Sequence, residues 1–186
     1  MRTRSILPNL RGGLSRFRAD RRGVSAVEFA MIAPLMITLY LGGVEVTQGV
    51  AVSRKTTLVA RTVADLVAQD TNVNNAEITD ILAASAAVAS PYAATNLKVT
   101  VSSVTIDATG RATIAWSDTL NGTARSVGSS VALDSALAVP NSSLIWGEVT
   151  YTYRPMFGWV LTGTFTLGDT IYMRPRNANF ITRTAS

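Results

Sequence analysis

Residues 24–46 read VSAVEFAMIAPLMITLYLGGVEV, and the sixteen residues between Glu28 and Glu45 carry no charge. A helix needs about 20 mostly apolar residues to cross a hydrocarbon core about 30 Å thick, and this run meets that length. Ten of its 23 residues are Leu, Ile, Val or Phe. At roughly −0.3 to −0.6 kcal/mol each they favour insertion by about 3 to 6 kcal/mol. A carboxylate opposes insertion by about 2.5 to 3.5 kcal/mol at the centre of a bilayer and by less near its edges. Glu28 and Glu45 both stand near the ends of the run, so insertion stays favourable. Pro34 and Gly42-Gly43 weaken a helix in water but are tolerated in lipid.

Seven arginines against one aspartate stand in residues 1–22, including Arg16, Arg18, Arg21 and Arg22. By the positive-inside rule this arm holds the N-terminus in the cytoplasm and sends residues 47–186 across the membrane, in a bacterium into the periplasm. The rest of the chain holds ten basic and eleven acidic residues, so the net charge of +5 belongs to the arm. A nucleic-acid partner needs positive charge spread on a folded face, and none is expected here. The lipid bilayer is the partner that this charge distribution predicts. The chain has no cysteine and no histidine. That excludes disulfides, thiolate nucleophiles, Cys/His zinc sites and Ser-His-Asp triads. There is also no Ser-x-x-Lys, no phosphate-cradling glycine loop after a strand and no acidic cluster with metal spacing. We therefore assign no catalytic residue, metal or cofactor.

Three fates compete for the N-terminus. A secretory signal peptide would be cut near Ala51-Val52-Ser53, although Glu45 and Gln48 separate that site from the apolar core. Arg21-Arg22 invites a twin-arginine reading, which the surrounding Asp20, Gly23, Val24 and Ser25 support poorly. The third is set by the boundary itself: Gly23 follows the last arginine, the apolar run starts at Val24, and a carboxylate stands five residues after Gly23.

The segment Arg21-Arg22-Gly23-Val24-Ser25-Ala26-Val27-Glu28-Phe29 resembles a type IV prepilin junction, with a basic leader, a glycine, four residues, a glutamate and an aromatic. More narrowly, GVSAVEFAMIAPLMITLYLGGVEV is similar to the start of TadE-like proteins, pilin-like minor components of the tight-adherence (Tad or Flp) pilus assembly system. RTVADLVAQD at residues 61–70 resembles the helix extension in that group, and TIYMRPR at 170–176 its C-terminal endings. The resemblance implies a prepilin peptidase of the inner membrane as a partner, cutting between Gly23 and Val24. It implies that Glu28, with Phe29 beside it, serves subunit pairing, the carboxylate meeting the N-terminal ammonium of a neighbouring pilin-like subunit. Other Tad pilus components complete the implied partners. Val24 stands where type IVa pilins carry phenylalanine, which fits the looser Tad group better.

The implied fold class is α+β and pilin-like: a long N-terminal transmembrane helix extending into a stalk, a short helix, and a small antiparallel β-sheet head. The expected segments are a leader at 1–23, a membrane helix at 24–46, an extracytoplasmic helical stalk at 47–90 and a head at 91–186. No turn signal interrupts residues 45–69, so the first helix is expected to run to Gln69. Val52, Thr56, Val59, Val63 and Leu66 form a 4-3-4-3 stripe, read as packing on the chain's own sheet rather than in a coiled coil between subunits. Arg61 and Asp65 have the spacing of an i,i+4 pair. A second helix is expected over residues 75–88, with Ile78, Ile81, Leu82 and Val88 inward.

Leu97, Val99 and Val101 alternate with polar residues, and the apolar face then moves to Val104 and Ile106. This predicts a bulge near Ser102-Ser103. Asp107–Gly110 reads as a hairpin loop, and residues 111–120 as a return strand with Ile114 and Trp116 on one face. Residues 121–141 read as a long loop, 144–154 and 165–174 as further strands. Arg154 and Arg174 precede prolines that stop strands, and are expected to face water. Trp146, Phe157 and Trp159 are read as core in preference to a docking patch. The expected function is a non-catalytic minor pilin or pseudopilin. The alternative is a periplasmic binding domain or enzyme on an uncleaved single-pass anchor.

Overall fold

The computed structural model describes residues 22–158 and 160–185, so Arg16, Arg18, Arg21 and Trp159 lie outside the described residues. Its first element, α1 (Arg22–Ala68), is one helix of 47 residues. At 1.5 Å per residue it is about 70 Å long, more than twice the span of a bilayer core. Pro34 lies inside it and removes one backbone donor. The Thr38 hydroxyl donates to the Pro34 carbonyl at 2.8 Å, the same i−4 bond that Thr47 and Thr62 make further along the helix.

The helix ends where Asp70 and Thr71 break the pattern, and a short strand β1 (Asn72–Val73) follows. The next helix, α2 (Asn75–Val88), starts on a full capping box. The Asn74 side chain accepts from the Glu77 amide and the Glu77 carboxylate accepts from the Asn74 amide, both at 2.9 Å. These bonds satisfy donors that every helix start leaves open. Ile78 and Leu82 are buried, with Ser85 below them, while Ile81 and Val88 are half-buried.

Five antiparallel strands form the sheet: β2 (Leu97–Ile106), β3 (Ala112–Leu120), β4 (Ser130–Val131), β5 (Ser142–Tyr153) and β6 (Phe165–Met173), in the order β4-β3-β2-β5-β6. The α+β class is as expected. The outer half of α1 lies across β5 and β6, and α2 packs beside it. Val52, Thr56, Val59 and Val63 are buried, so the apolar stripe faces the chain's own sheet. Leu66 is only half-buried, and Val67 takes the inner place. Gly147 of β5 marks the closest approach of sheet and helix: a Cβ there would lie 2.8 Å from the Ala60 carbonyl oxygen.

The bulge falls where expected along the pair β2–β3, between Ser103 and Val104, but the extra residue is on β3. Ser103 faces Trp116 and Val104 faces Ile114, leaving Ala115 unpaired between them. Ile114 and Trp116 therefore point to opposite faces, which corrects the expectation that they share one. Trp116 joins the core under the helices, and Ile114 joins Val104, Ile106, Leu144 and Trp146 in a second cluster on the other face. Leu133 and Leu137, from the long loop, cover that cluster. Strand β2 itself stays in unbroken register with β5. Its apolar positions change face because different parts of the chain cover the two faces.

The C-terminal segment straps the end of α1. Strand β7 (Thr182–Arg183) pairs parallel with β1. The Trp116 indole donates to the Ile181 carbonyl at 2.8 Å, and the Arg176 amide donates to the Ala68 carbonyl at 2.8 Å, closing the helix. Arg183 forks onto Asp118 through bonds of 2.9 and 3.2 Å. Asp65 pairs with Arg176 rather than with Arg61. The strap brings a guanidinium from the far end of the chain, and the local i,i+4 pair loses to it.

Candidate functional site

Among the described residues, the inner half of α1 touches almost nothing in its own chain. Gly23 has open space where a side chain would be, and Val24, Phe29, Met31, Leu35, Met36, Leu39 and Tyr40 are all exposed. A monomer in water rarely exposes a contiguous apolar surface of this size. Surrounded by lipid, the same surface needs no further cover. Glu28 stands exposed within it, and no hydrogen bond or ion pair joins it to another described residue. Gly23, Val24, Glu28 and Phe29 thus lie within two turns at the start of the helix.

Where this bare surface ends, the structure holds a feature that sequence reasoning missed. Glu45 is 1% exposed. Its carboxylate accepts from the amides of Gly158 at 2.6 Å and Leu161 at 2.9 Å. Both donors belong to the loop that joins β5 to β6, more than a hundred residues away in sequence. The Tyr153 hydroxyl adds a bond to the Glu45 carbonyl at 3.3 Å. Burial, and then the nearby Glu45 charge, hold the Tyr153 phenol above its ordinary pKa. Val160 sits so close to Gly42 that a Cβ there would meet its methyl at 3.1 Å. Glu45 is therefore a clasp that fixes the loop to the helix, not an edge carboxylate reaching for water.

The clasp makes a direct prediction. Glu45→Ala leaves two half-buried amides without their charged acceptor, and since water can reach them in part the loss is about 1.5–3 kcal/mol in all. Chymotrypsin should then cut after Phe157 about 10- to 100-fold faster than in the parent, because the loop opens more often. An unchanged cutting rate would show that the loop is held by something else.

A long helix with a bare apolar half and a packed outer half is a geometry that sequence comparison can address. Residues 23–65 match the TadE-like protein family. No curated protein and no solved structure matches the chain. The TadE-like segment covers the bare half of α1, the Glu45 clasp and most of the stripe seated on the sheet. It starts at Gly23 and ends at Asp65, so the sheet and the C-terminal strap lie beyond it. With the apolar span in the same helix, the TadE-like match marks a membrane-anchored, pilus-associated protein.

The head outside the TadE-like segment carries shallow hollows among its described residues. One hollow there, about 460 Å³, is lined by Lys98, Asn121, Arg125, Glu148 and neighbouring threonines. Two of the charges there are engaged with each other: Arg125 forks onto Glu148 at 2.6–3.0 Å and lies 3.7 Å from the centre of the Trp146 ring. Trp146 in turn stacks on Tyr172 and is buried, as the core reading expected, whereas Phe157 is exposed on the β5–β6 loop. Arg154 and Arg174 face solvent just beyond the ends of their strands. Among the described residues, no group of three or more acidic side chains is placed to hold a metal ion.

Proposed function

We propose that this protein is a non-catalytic minor pilin or pseudopilin of a Tad-type pilus assembly system. It is held in the bacterial inner membrane with its arginine-rich N-terminus in the cytoplasm and its head in the periplasm. The observation that carries this reading is a Glu28 with no partner among the described residues, set in the exposed apolar first half of α1 just after Gly23. Within the reading, a prepilin peptidase cuts after Gly23 on the cytoplasmic side and leaves Val24 as the new N-terminus. Glycine suits that position because it presents a permissive backbone and no side chain to the protease groove.

Cleavage would create an ammonium at one end of the apolar run with Glu28 four residues further on. Each charge alone is costly in lipid, and together they neutralise. A neighbouring subunit that supplies the amine satisfies both and sets the axial offset between two helices. No step of this mechanism needs a covalent change in the head, whose role is to offer surface to other pilus components.

Mass analysis of the N-terminus in membranes from cells that assemble the pilus tests the processing step. The expected product begins at Val24, and Gly23→Leu should remain uncut. Finding the intact leader on assembly-competent protein, or a terminus elsewhere, would overturn the proposal.

A further inference from the structure

We propose that the β5–β6 loop is a membrane foot, a second contact through which the head rests on the outer surface of the phospholipid bilayer. The inference rests on the membrane-anchor reading of α1 and adds a contact made by the head. The loop runs from Arg154 to Thr164, between the end of β5 and the start of β6. It presents apolar side chains to the outside: Met156 is 72% exposed, Val160 44%, and Phe157 is also bare. A loop directed at water would carry polar residues at those positions; Val160 leans on Gly42 with one side, while Met156 and Phe157 stay exposed.

The position of the loop along α1 selects the partner. Val160 touches the helix at Gly42 and the loop amides are clasped by Glu45. Gly42 is twenty residues beyond Arg22, which is about 30 Å along the helix and matches one hydrocarbon thickness. The foot therefore meets α1 at the height where the lipid-facing surface gives way to the packed half. Its exposed apolar groups continue the bare surface of the helix outward. Arg154, exposed at the root of the loop, supplies a cation where headgroup phosphates lie. Apolar residues next to a cationic one are the pattern of segments that sit in the interface between headgroups and acyl chains.

The clasp explains how such a loop keeps its shape. The Gly158 and Leu161 amides point inward to Glu45, so their donors are satisfied without water. Gly158, at φ +64°, and Gly163, at φ +97°, make the turns, in a backbone region that glycine enters without steric cost. One helix alone fixes the height of the head but leaves its tilt free. A foot beside the helix fixes the tilt as well.

The chain has no cysteine, so single labels can be placed cleanly. Met156→Cys, Leu35→Cys and Val127→Cys each carry an environment-sensitive fluorophore on the full chain, reconstituted in vesicles of zwitterionic and anionic phospholipid. Leu35 reports on the bare helix. Val127 is 71% exposed and lines a hollow with Asn75, beyond the far end of α1. The expected result is quenching of the 156 label by lipids carrying a quencher near the headgroup, with several-fold less quenching by aqueous iodide than at 127. A 156 label as open to iodide as the 127 label, beside a lipid-quenched 35 label, overturns the foot and leaves the anchor standing. A 35 label that lipid does not quench overturns both. Equal shielding at 127 and 156 overturns the foot as a localised contact.

Discussion

Glu28→Ala protein is expected to insert and be processed normally, yet to enter pilus assembly about 10- to 100-fold less well than the parent. A bond to a charged group is worth about 1.5–3 kcal/mol, and each 1.4 kcal/mol is a factor of ten. The physical case lies in the surroundings of the residue. Glu28 is exposed on a helix face that is otherwise apolar, with no partner among the described residues of its own chain. A carboxylate placed there weakens insertion, so its presence asks for a partner from outside. Glu28→Gln keeps the shape and removes the charge, and should fail as Glu28→Ala does. Glu28→Asp keeps the charge and should retain part of the function. Pilus yield measured against the amount of mature protein in the membrane separates assembly from insertion. Normal yield from Glu28→Ala would remove the pairing role.

Gly147→Val should lower stability by about 3 kcal/mol, at the upper end of typical overpacking costs. For a chain of this size that is a fall in Tm of roughly 6–12 °C. The new Cβ would lie 2.8 Å from the Ala60 carbonyl and 3.2 Å from Ala64 and Val63. Two of these three contacts are side-chain carbons, but the closest is backbone of a long helix that cannot yield locally. The helix must lift off the sheet or β5 must bend away. Gly43→Ala is the control, because nothing lies within 4 Å of that position. Thermal unfolding of the full chain in detergent micelles, followed by near-ultraviolet circular dichroism, reads both variants. An unchanged Tm for Gly147→Val would mean that helix and sheet are not seated this closely.

Much of the fold was legible in the chain because the signals are local. The apolar run announces a spanning helix by length alone. Asn74 and Glu77 bracket the start of α2 at capping-box spacing, and the alternation of Leu97, Val99 and Val101 names the inward face of a strand. Asp107–Gly110 supplies a tight loop, and Gly110 does adopt φ +84°. The proposed junction of Gly23, Val24, Glu28 and Phe29 rests likewise on spacing within one helix.

The differences between sequence and structure arise where pairing between elements decides the outcome. Ile114 and Trp116 are two apart and were placed on one face, but a single unpaired residue, Ala115, sends them to opposite ones. Arg61 and Asp65 had the right spacing to pair, yet Asp65 meets Arg176. Glu45 looked like a twin of Glu28, a carboxylate at the edge of a membrane span. A clue was present: Gly42 and Gly49 flank it at i−3 and i+4, small residues on the same side of the helix. Such a gap implies that another part of the chain comes close, but it does not say which part.

By itself the sequence determined that one helix is long and apolar enough to cross a membrane and that a strand-rich head follows, because hydropathy and short-range spacing act within a segment. Only the tertiary structure decided how the two carboxylates of that helix differ. Glu28 stays bare and Glu45 is enclosed, since burial is set by which distant strands and loops fold back onto each turn.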